Sequence, residues 1–475
     1  MPDTETTFID RLAAWGVVML TVLVAMQTWG AVTGAFWVGP WEDVAIRGLT
    51  AAIIVLYFLR VRASRRAFII VGLALVAWLW VDRDDWLGVT SEALDKAAFI
   101  ASFFAALATL RNVAETSPAL RRAGNFLAAQ APGRRYAALT GGGHLFALLL
   151  NYGSISLLGS LATQAARDEP DAELRGHRTR RMLLAIQRGF LSSLTWSPLA
   201  FSLAISTALI PGATWFGALL PGLVSAAILL LCGWAMDSLF KPRLSRPPAP
   251  RRAAEGNWAL ILPLFGLLVL LGISVGGLHL MTGLRVVSIV LVVVPVIAAS
   301  WAVMQARNGG VRTPARMAGF VTGDLTGYRG ELSLLMMAGF IGTAGAPLLQ
   351  PLIAALGVDL TQWPIWVVLA MFVWLIPLLG QLGMNPILAV TLLAPLIPDP
   401  ASLGVSPSAI VVAIVAGWSL SGATSPFTAT TLLIGAFGGV SAGHVGRRWN
   451  GGYFFASAAL LTGWVLLFGL VVARA

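Results

Sequence analysis

The chain has 475 residues, of which 57% are hydrophobic and only 11% charged, and its formal net charge is +11. A soluble domain carries about 25% charged residues, so the composition excludes a water-soluble globule and describes an all-α polytopic membrane protein. The positive charge does not mark a nucleic-acid binder. It falls in short runs between apolar stretches, such as "RVRASRR" (60–66), "RGHRTRR" (175–181), "KPRLSRPPAPRR" (241–252) and "HVGRR" (444–448), as cytoplasmic loops do, and not on one basic face.

The first apolar run, about residues 13–34, follows the acidic start "MPDTETTFIDR". It lacks the basic n-region and small-residue cleavage site of a signal peptide, so it reads as a retained span. With the basic loops taken as cytoplasmic, spans 44–60 and 67–81 run in and out, and 93–110 returns inward. The next stretch, 136–164, is apolar but broken at "GGGH" and "NYGS". A re-entrant hairpin there keeps the following loop, "RGHRTRR", on the cytoplasmic side. Non-helical backbone at membrane depth needs protein or a water-filled cavity around it, so the hairpin implies a cavity. Spans 182–209 and 214–235, a Pro/Arg linker at 236–256, and spans 257–275, 284–304 and 331–355 follow. Together with a second hairpin and the apolar segments up to 473, this makes about eleven spans plus two hairpins. The N-terminus is expected in the cytoplasm and the C-terminus outside.

Two regions resemble each other. "RGFLSSLTWSP" (188–198) aligns without a gap on "AGWSLSGATSP" (416–426), pairing Gly189 with Gly417, Ser193 with Ser421, Ser197 with Ser425 and Pro198 with Pro426. Upstream, "NYGSISLLGSLA" from Asn151 aligns with "NPILAVTLLAPLI" from Asn385, and the helix from Asp95 with the helix from Glu331. The chain therefore divides into additional spans (1–89), a first repeat (90–235), a basic linker with a connecting span pair (236–324) and a second repeat (325–475). The charge-derived orientations of the repeats are opposite. Inverted repeats with interrupted helices in matching positions point to a secondary transporter and its binding site.

Pro198 and Pro426 each remove a backbone donor from a helix, and Gly189 and Gly417 loosen the turns before them. The N–H groups freed at Leu199–Ser202 and Phe427–Thr430 then carry a positive dipole end, suited to an anion. Carbonyls on the other side of each break suit a cation. Ser193, Thr195, Ser197, Ser421, Thr424, Ser425 and Thr428 add hydroxyls, and Asn151 and Asn385 place carboxamides at the hairpin tips. These nine polar residues are the expected solute site, with no cofactor beyond a coupling Na+ or H+. His144 is a candidate proton relay, and Arg188 a candidate gate or anion contact. Cys232 stands alone, so no intrachain disulfide forms. The chain contains no P-loop, "HExxH", "CxxC" or Gly-x-Ser-x-Gly pattern, which argues against an ATPase or a hydrolase.

At these residues the chain resembles the ion transporter superfamily, which includes divalent anion/sodium symporters, citrate and arsenite carriers, and the large membrane subunits of tripartite transporters. The resemblance rests on the Asn151 and Asn385 tips and on the paired "SSLTWSP" and "SGATSP" breaks, over about residues 90–473. It implies elevator-like movement of hairpins and interrupted helices, and a homodimer. The expected protein is a secondary transporter of a small anionic solute in a bacterial inner membrane. The competing class is a polytopic enzyme acting on a lipid-linked substrate, which would need acidic or histidine groups converging at membrane depth. Single cysteines in place of Arg178 and Ser402 should label from the cytoplasmic and the periplasmic face respectively; labelling of both from one face would refute the inverted topology.

Overall fold

An apolar chain in an apolar surrounding must satisfy its backbone polar groups internally, and the helix does this within a single segment. A computed structural model describes residues 7–33, 39–241, 256–356 and 360–473. Most of the expected basic linker, residues 242–255, lies outside the described residues. The helices run in order α1 (Phe8–Thr33), α2 (Pro40–Arg60), α3 (Ala63–Asp82), α4 (Trp86–Glu115), α5 (Pro118–Ala128), α6 (Pro132–Leu150) and α7 (Gly153–Arg167). They continue with α8 (Ala172–Ser193), α9 (Phe201–Leu209), α10 (Trp215–Leu239), α11 (Leu262–Thr282), α12 (Val286–Arg307), α13 (Thr313–Gly319) and α14 (Arg329–Ala355). The last are α15 (Ile365–Gln381), α16 (Pro386–Leu393), α17 (Pro407–Thr424), α18 (Ala429–Gly438), α19 (Ala442–His444) and α20 (Gly451–Leu467).

Among the described residues, 8 helical stretches are long and apolar enough to cross a membrane. The expected span 44–60 is helical too, within α2, which carries Glu42, Asp43, Arg47 and Arg60, whereas 182–209 divides into the second half of α8 and α9, with residues 194–200 between them. The molecule is an all-α, multi-pass membrane protein. Turns lie at both expected tips: α6 and α7, which pack on each other, join at Asn151–Tyr152, and α15 and α16 join at Leu382–Asn385. One expectation is corrected here, because α6 runs through "GGGH" without interruption. Gly142 and Gly143 are packing positions, where a Cβ would meet the Leu127 side chain and the Ile186 carbonyl oxygen.

The helices form two compact units. The first comprises Met1–Val113, Leu271–Asp359 and Val390–Leu396. It is tied by Asp10, which is 3% exposed, receives two hydrogen bonds from Arg60 (3.3 and 3.0 Å), and lies 3.7 Å from Arg329. Asp95 is gripped by Arg47 through two bonds of 2.9 and 2.7 Å. It lies well inside α4, not at the head of a span. The second unit comprises Ala114–Leu270, Leu360–Ala389 and Ile397–Ala475, and so holds both hairpin tips and both interrupted helices.

Two helices form the core of the second unit. All residues from Met182 to Ser193 on α8, and all from Ala409 to Thr424 on α17, are buried. A helix buried on every side needs no polar face, and apart from Gln187, Arg188 and the hydroxyl residues these stretches are apolar. Each lies close against the first leg of its hairpin at a glycine of its own. A Cβ at Gly189 would collide with the Thr140 carbonyl oxygen on α6, and one at Gly417 with the Phe372 carbonyl oxygen on α15. The aligned glycines thus make the same backbone approach in both halves. Gly417→Ala and Gly189→Ala should each cost about 1–3 kcal/mol by overpacking. Gly141→Ala, with open space at that position, should be neutral or stabilising because alanine is the better helix former. Denaturant unfolding in detergent distinguishes the cases.

Candidate functional site

A helix that stops inside an apolar core strands carbonyls on one side of the gap and N–H groups on the other. The first gap lies between Ser193 and Phe201, and the second between Thr424 and Ala429. Both are closed by the same set of bonds. Ser197 N donates to Ser193 O (3.1 Å), and Ser425 N to Ser421 O (2.9 Å). The Ser197 hydroxyl accepts from Leu199 N (3.2 Å), and the Ser425 hydroxyl from Phe427 N (3.3 Å). Ala200 N donates to Ser197 O (3.1 Å), and Thr428 N to Ser425 O (3.4 Å). Finally, Ser202 Oγ reaches back across the gap to Leu194 O, and Thr430 Oγ1 does the same to Gly422 O. Every one of these pairs is in the register of the "SP" alignment.

The remaining hydroxyls mostly serve the carbonyl side. Ser193 Oγ donates to Phe190 O (2.7 Å), Thr424 Oγ1 to Leu420 O (3.0 Å), and Thr195 Oγ1 to both Ser192 O (2.9 Å) and Gly222 O (2.8 Å). Ser425 Oγ donates to Gly380 O at 2.7 Å. The expectation of stranded carbonyls is therefore corrected: the chain supplies its own donors. Of the N–H groups expected to be free, Leu199, Ala200, Phe427 and Thr428 are bonded to the break serines. Neither Ala200 nor Thr428 caps with its side chain the helix that it opens. Ser421 Oγ, fully buried, has no hydrogen-bond partner. The second gap also gathers hydroxyls, with Thr428 Oγ1 3.0 Å from Thr430 Oγ1 and 3.1 Å from Thr431 Oγ1.

The hairpin tips differ from each other. Asn385 Oδ1 accepts from Ile387 N at 2.9 Å and so opens α16. Asn151 has φ 49°, the one positive φ at a non-glycine among the described residues, and its buried Oδ1 has no partner. Gly380 and Gly383 bring the second tip onto the second gap. A Cβ at Gly380 would strike Ser421 Oγ, and Gly383, at φ 92°, faces the Phe427 ring.

His144 on α6 is enclosed. The Ser192 hydroxyl donates to Gly189 O (2.7 Å), so the 2.7 Å contact between His144 Nδ1 and Ser192 Oγ leaves the imidazole as donor. Nε2 then accepts from the Trp196 indole at 3.3 Å, an assignment made from the bonding pattern. The ring stacks on Trp196, and Trp215 Nε1 donates to Trp196 O at 2.9 Å. With both nitrogens engaged, His144 fastens the first hairpin to the first gap. Arg188 is also engaged, through Asn450, Tyr136 and Gly233.

Gln187 Nε2 donates to Gly422 O (3.3 Å) and so ties α8 to α17 just before the second gap. Sequence reasoning missed Ser202, Thr430, Gln187 and Asn450. The first two were detectable, since "SPLAFS" and "SPFTAT" repeat a hydroxyl at one position. Gln187 and Asn450 carry no such signal.

No protein-family model matches the chain, and no curated protein sequence matches it. Solved structures do. The Neisseria gonorrhoeae MtrF structure, reported as illuminating a class of antimetabolite efflux pumps, matches with a TM-score of 0.56 at 14% identity, covering 87% of this chain and 96% of that one. The chain shares its fold with this transporter. The Alcanivorax borkumensis YdaH transporter, reported to have an unusual topology, matches with a TM-score of 0.48 at 18% identity, covering 86% of this chain and 98% of that one.

Thr430→Val keeps the side-chain shape but removes the donor bridging the second gap. It should cost about 0.5–1.5 kcal/mol, the contribution of one hydrogen bond, because Gly422 O keeps its bond from Gln187, whereas Thr430→Ser should cost less. Denaturant titration of the detergent-solubilised protein measures both.

Proposed function

We propose that this chain is a secondary active transporter of a small anionic organic solute, coupled to Na+ or H+, working by alternating access in a bacterial inner membrane. The observation that carries this reading is the pair of interrupted helices, closed by the same bonds in register and each pressed against its own hairpin. Nothing in the packing of a buried helix calls for such a gap twice. The fold shared with MtrF supports a transporter, and that protein's description makes export of small organic molecules the direction to assay first. Asn151 adds a second support: a residue held at positive φ with an unpartnered amide oxygen costs about 1–3 kcal/mol, and such strain gathers at functional sites.

On this reading the N–H ends of α9 and α18 face the anion. Asn151, Ser421 and Asn385 contribute polar groups to its site, and the Thr428–Thr431 hydroxyls offer oxygen ligands to a coupling cation. Membership of the ion transporter superfamily and a homodimeric assembly belong to the same proposal.

Reconstituted liposomes test it. Counterflow of a labelled organic acid is the expected result, while chemistry on a lipid-linked substrate without flux would favour the enzyme. Asn385→Ala should abolish flux while lowering stability by only about 0.5–1.5 kcal/mol, the contribution of one hydrogen bond, and Ser425→Ala, which removes two bonds, should abolish flux at roughly twice that cost. Pro426→Ala should harm flux more than expression. Asn151→Gly should leave stability equal or higher, because glycine adopts positive φ freely, and should still reduce flux. Wild-type flux in all four variants would reduce both gaps to ordinary kinks.

A further inference from the structure

Arg188 enters the second unit within the fully buried stretch of α8 and is 4% exposed. Its Nε and Nη2 both donate to Asn450 Oδ1 at 3.4 Å. Its Nη1 donates to the Tyr136 hydroxyl at 3.0 Å and to Gly233 O at 3.4 Å. The guanidinium lies over the Tyr453 ring, 4.3 Å from the centroid. None of these partners is a carboxylate. Asp237, on the adjoining α10, is already taken by Arg181 through bonds of 2.8 and 2.6 Å, and Arg180 lies over Trp449. The interior keeps a positive charge that is well hydrogen-bonded but not neutralised.

Unpaired buried charge is costly, and the cheap remedy is one substitution away. Asn450 is fully buried and isosteric with aspartate, and a carboxylate there would pair with Arg188 in place. The carboxamide instead joins the charge to the second gap. Its Nδ2 donates to Ala423 O (3.2 Å) and to Gln187 Oε1 (2.9 Å), and Gln187 Nε2 donates to Gly422 O. The approach is tight, since a Cβ at Gly446 would collide with the Thr424 carbonyl oxygen.

We infer that Arg188 is the fixed counter-charge for the solute, acting by its field and not by contact, and that Asn450 sets solute charge by leaving it unneutralised. The inference rests on the transport reading above and assigns the selection of an organic anion to these two residues. Two unit charges about 10 Å apart at an effective dielectric of about 20 alter binding on the order of tenfold.

The test uses full-length protein in liposomes and a labelled panel of acetate, lactate, succinate, citrate and benzoate, each with its primary amide. N450D and R188Q remove the net charge by different chemistry, so a folding failure in one leaves the other to decide. For the acids that wild type carries, each variant should raise the ratio of acid KM to amide KM on the order of tenfold. A merely structural lesion would move acid and amide together. Wild-type flux of amides without acids, or an unchanged ratio in the variants, would overturn the role of Arg188 and Asn450. Absence of flux for every panel member in wild type would strike the transport reading itself.

Discussion

The second unit is governed by one constraint: a helix interrupted in an apolar core must find partners for the backbone groups it strands. Serine answers it twice. In each gap one serine accepts from the N–H two residues on, and a hydroxyl in the following half-helix donates back to a carbonyl before the gap. A buried polar group left alone costs more than a made bond returns, so these side chains are what makes an interruption tolerable there. Carbonyls are covered by side chains on the same or neighbouring helices, while neither Ala200 nor Thr428 caps with its side chain the helix that it opens.

Glycine answers the second demand, close approach. Gly189 and Gly417 let the interrupted helices lie directly on hairpin backbone, and Gly380 lets the second hairpin tip reach Ser421 and Ser425. The hairpins are thereby located by backbone contact, which is less forgiving than side-chain packing. Both polar gaps inherit that precision.

Much of this was legible in the residues. Apolar runs mark the helices, Asn151 and Asn385 mark the turns, and the two Ser-Pro steps mark the gaps. "GGGH" misled because consecutive glycines signal a break and close packing alike, and only a neighbouring backbone decides between them. The bond from Gln187 to Gly422 was hidden for another reason, because an alignment of one segment on another says nothing of the contacts between them. Asn450 was invisible on the same ground, since one asparagine after "RRW" shows no period. The expected basic loop "RGHRTRR" is the first half of α8, and only the second half of that helix is fully buried.

The cross-links of Arg188 also impose an order of events on biogenesis. Its partners come from residues 136, 233 and 450, and the second unit is assembled from three separated stretches of chain. While the ribosome is still making the second half, α8 has to wait with a guanidinium whose main acceptor does not yet exist. Contacts this distant in sequence form late and slowly. The first half is thus held in an incomplete state until nearly the whole chain has emerged, a state in which Arg188 depends on water, lipid headgroups or an insertion factor for its hydrogen bonds.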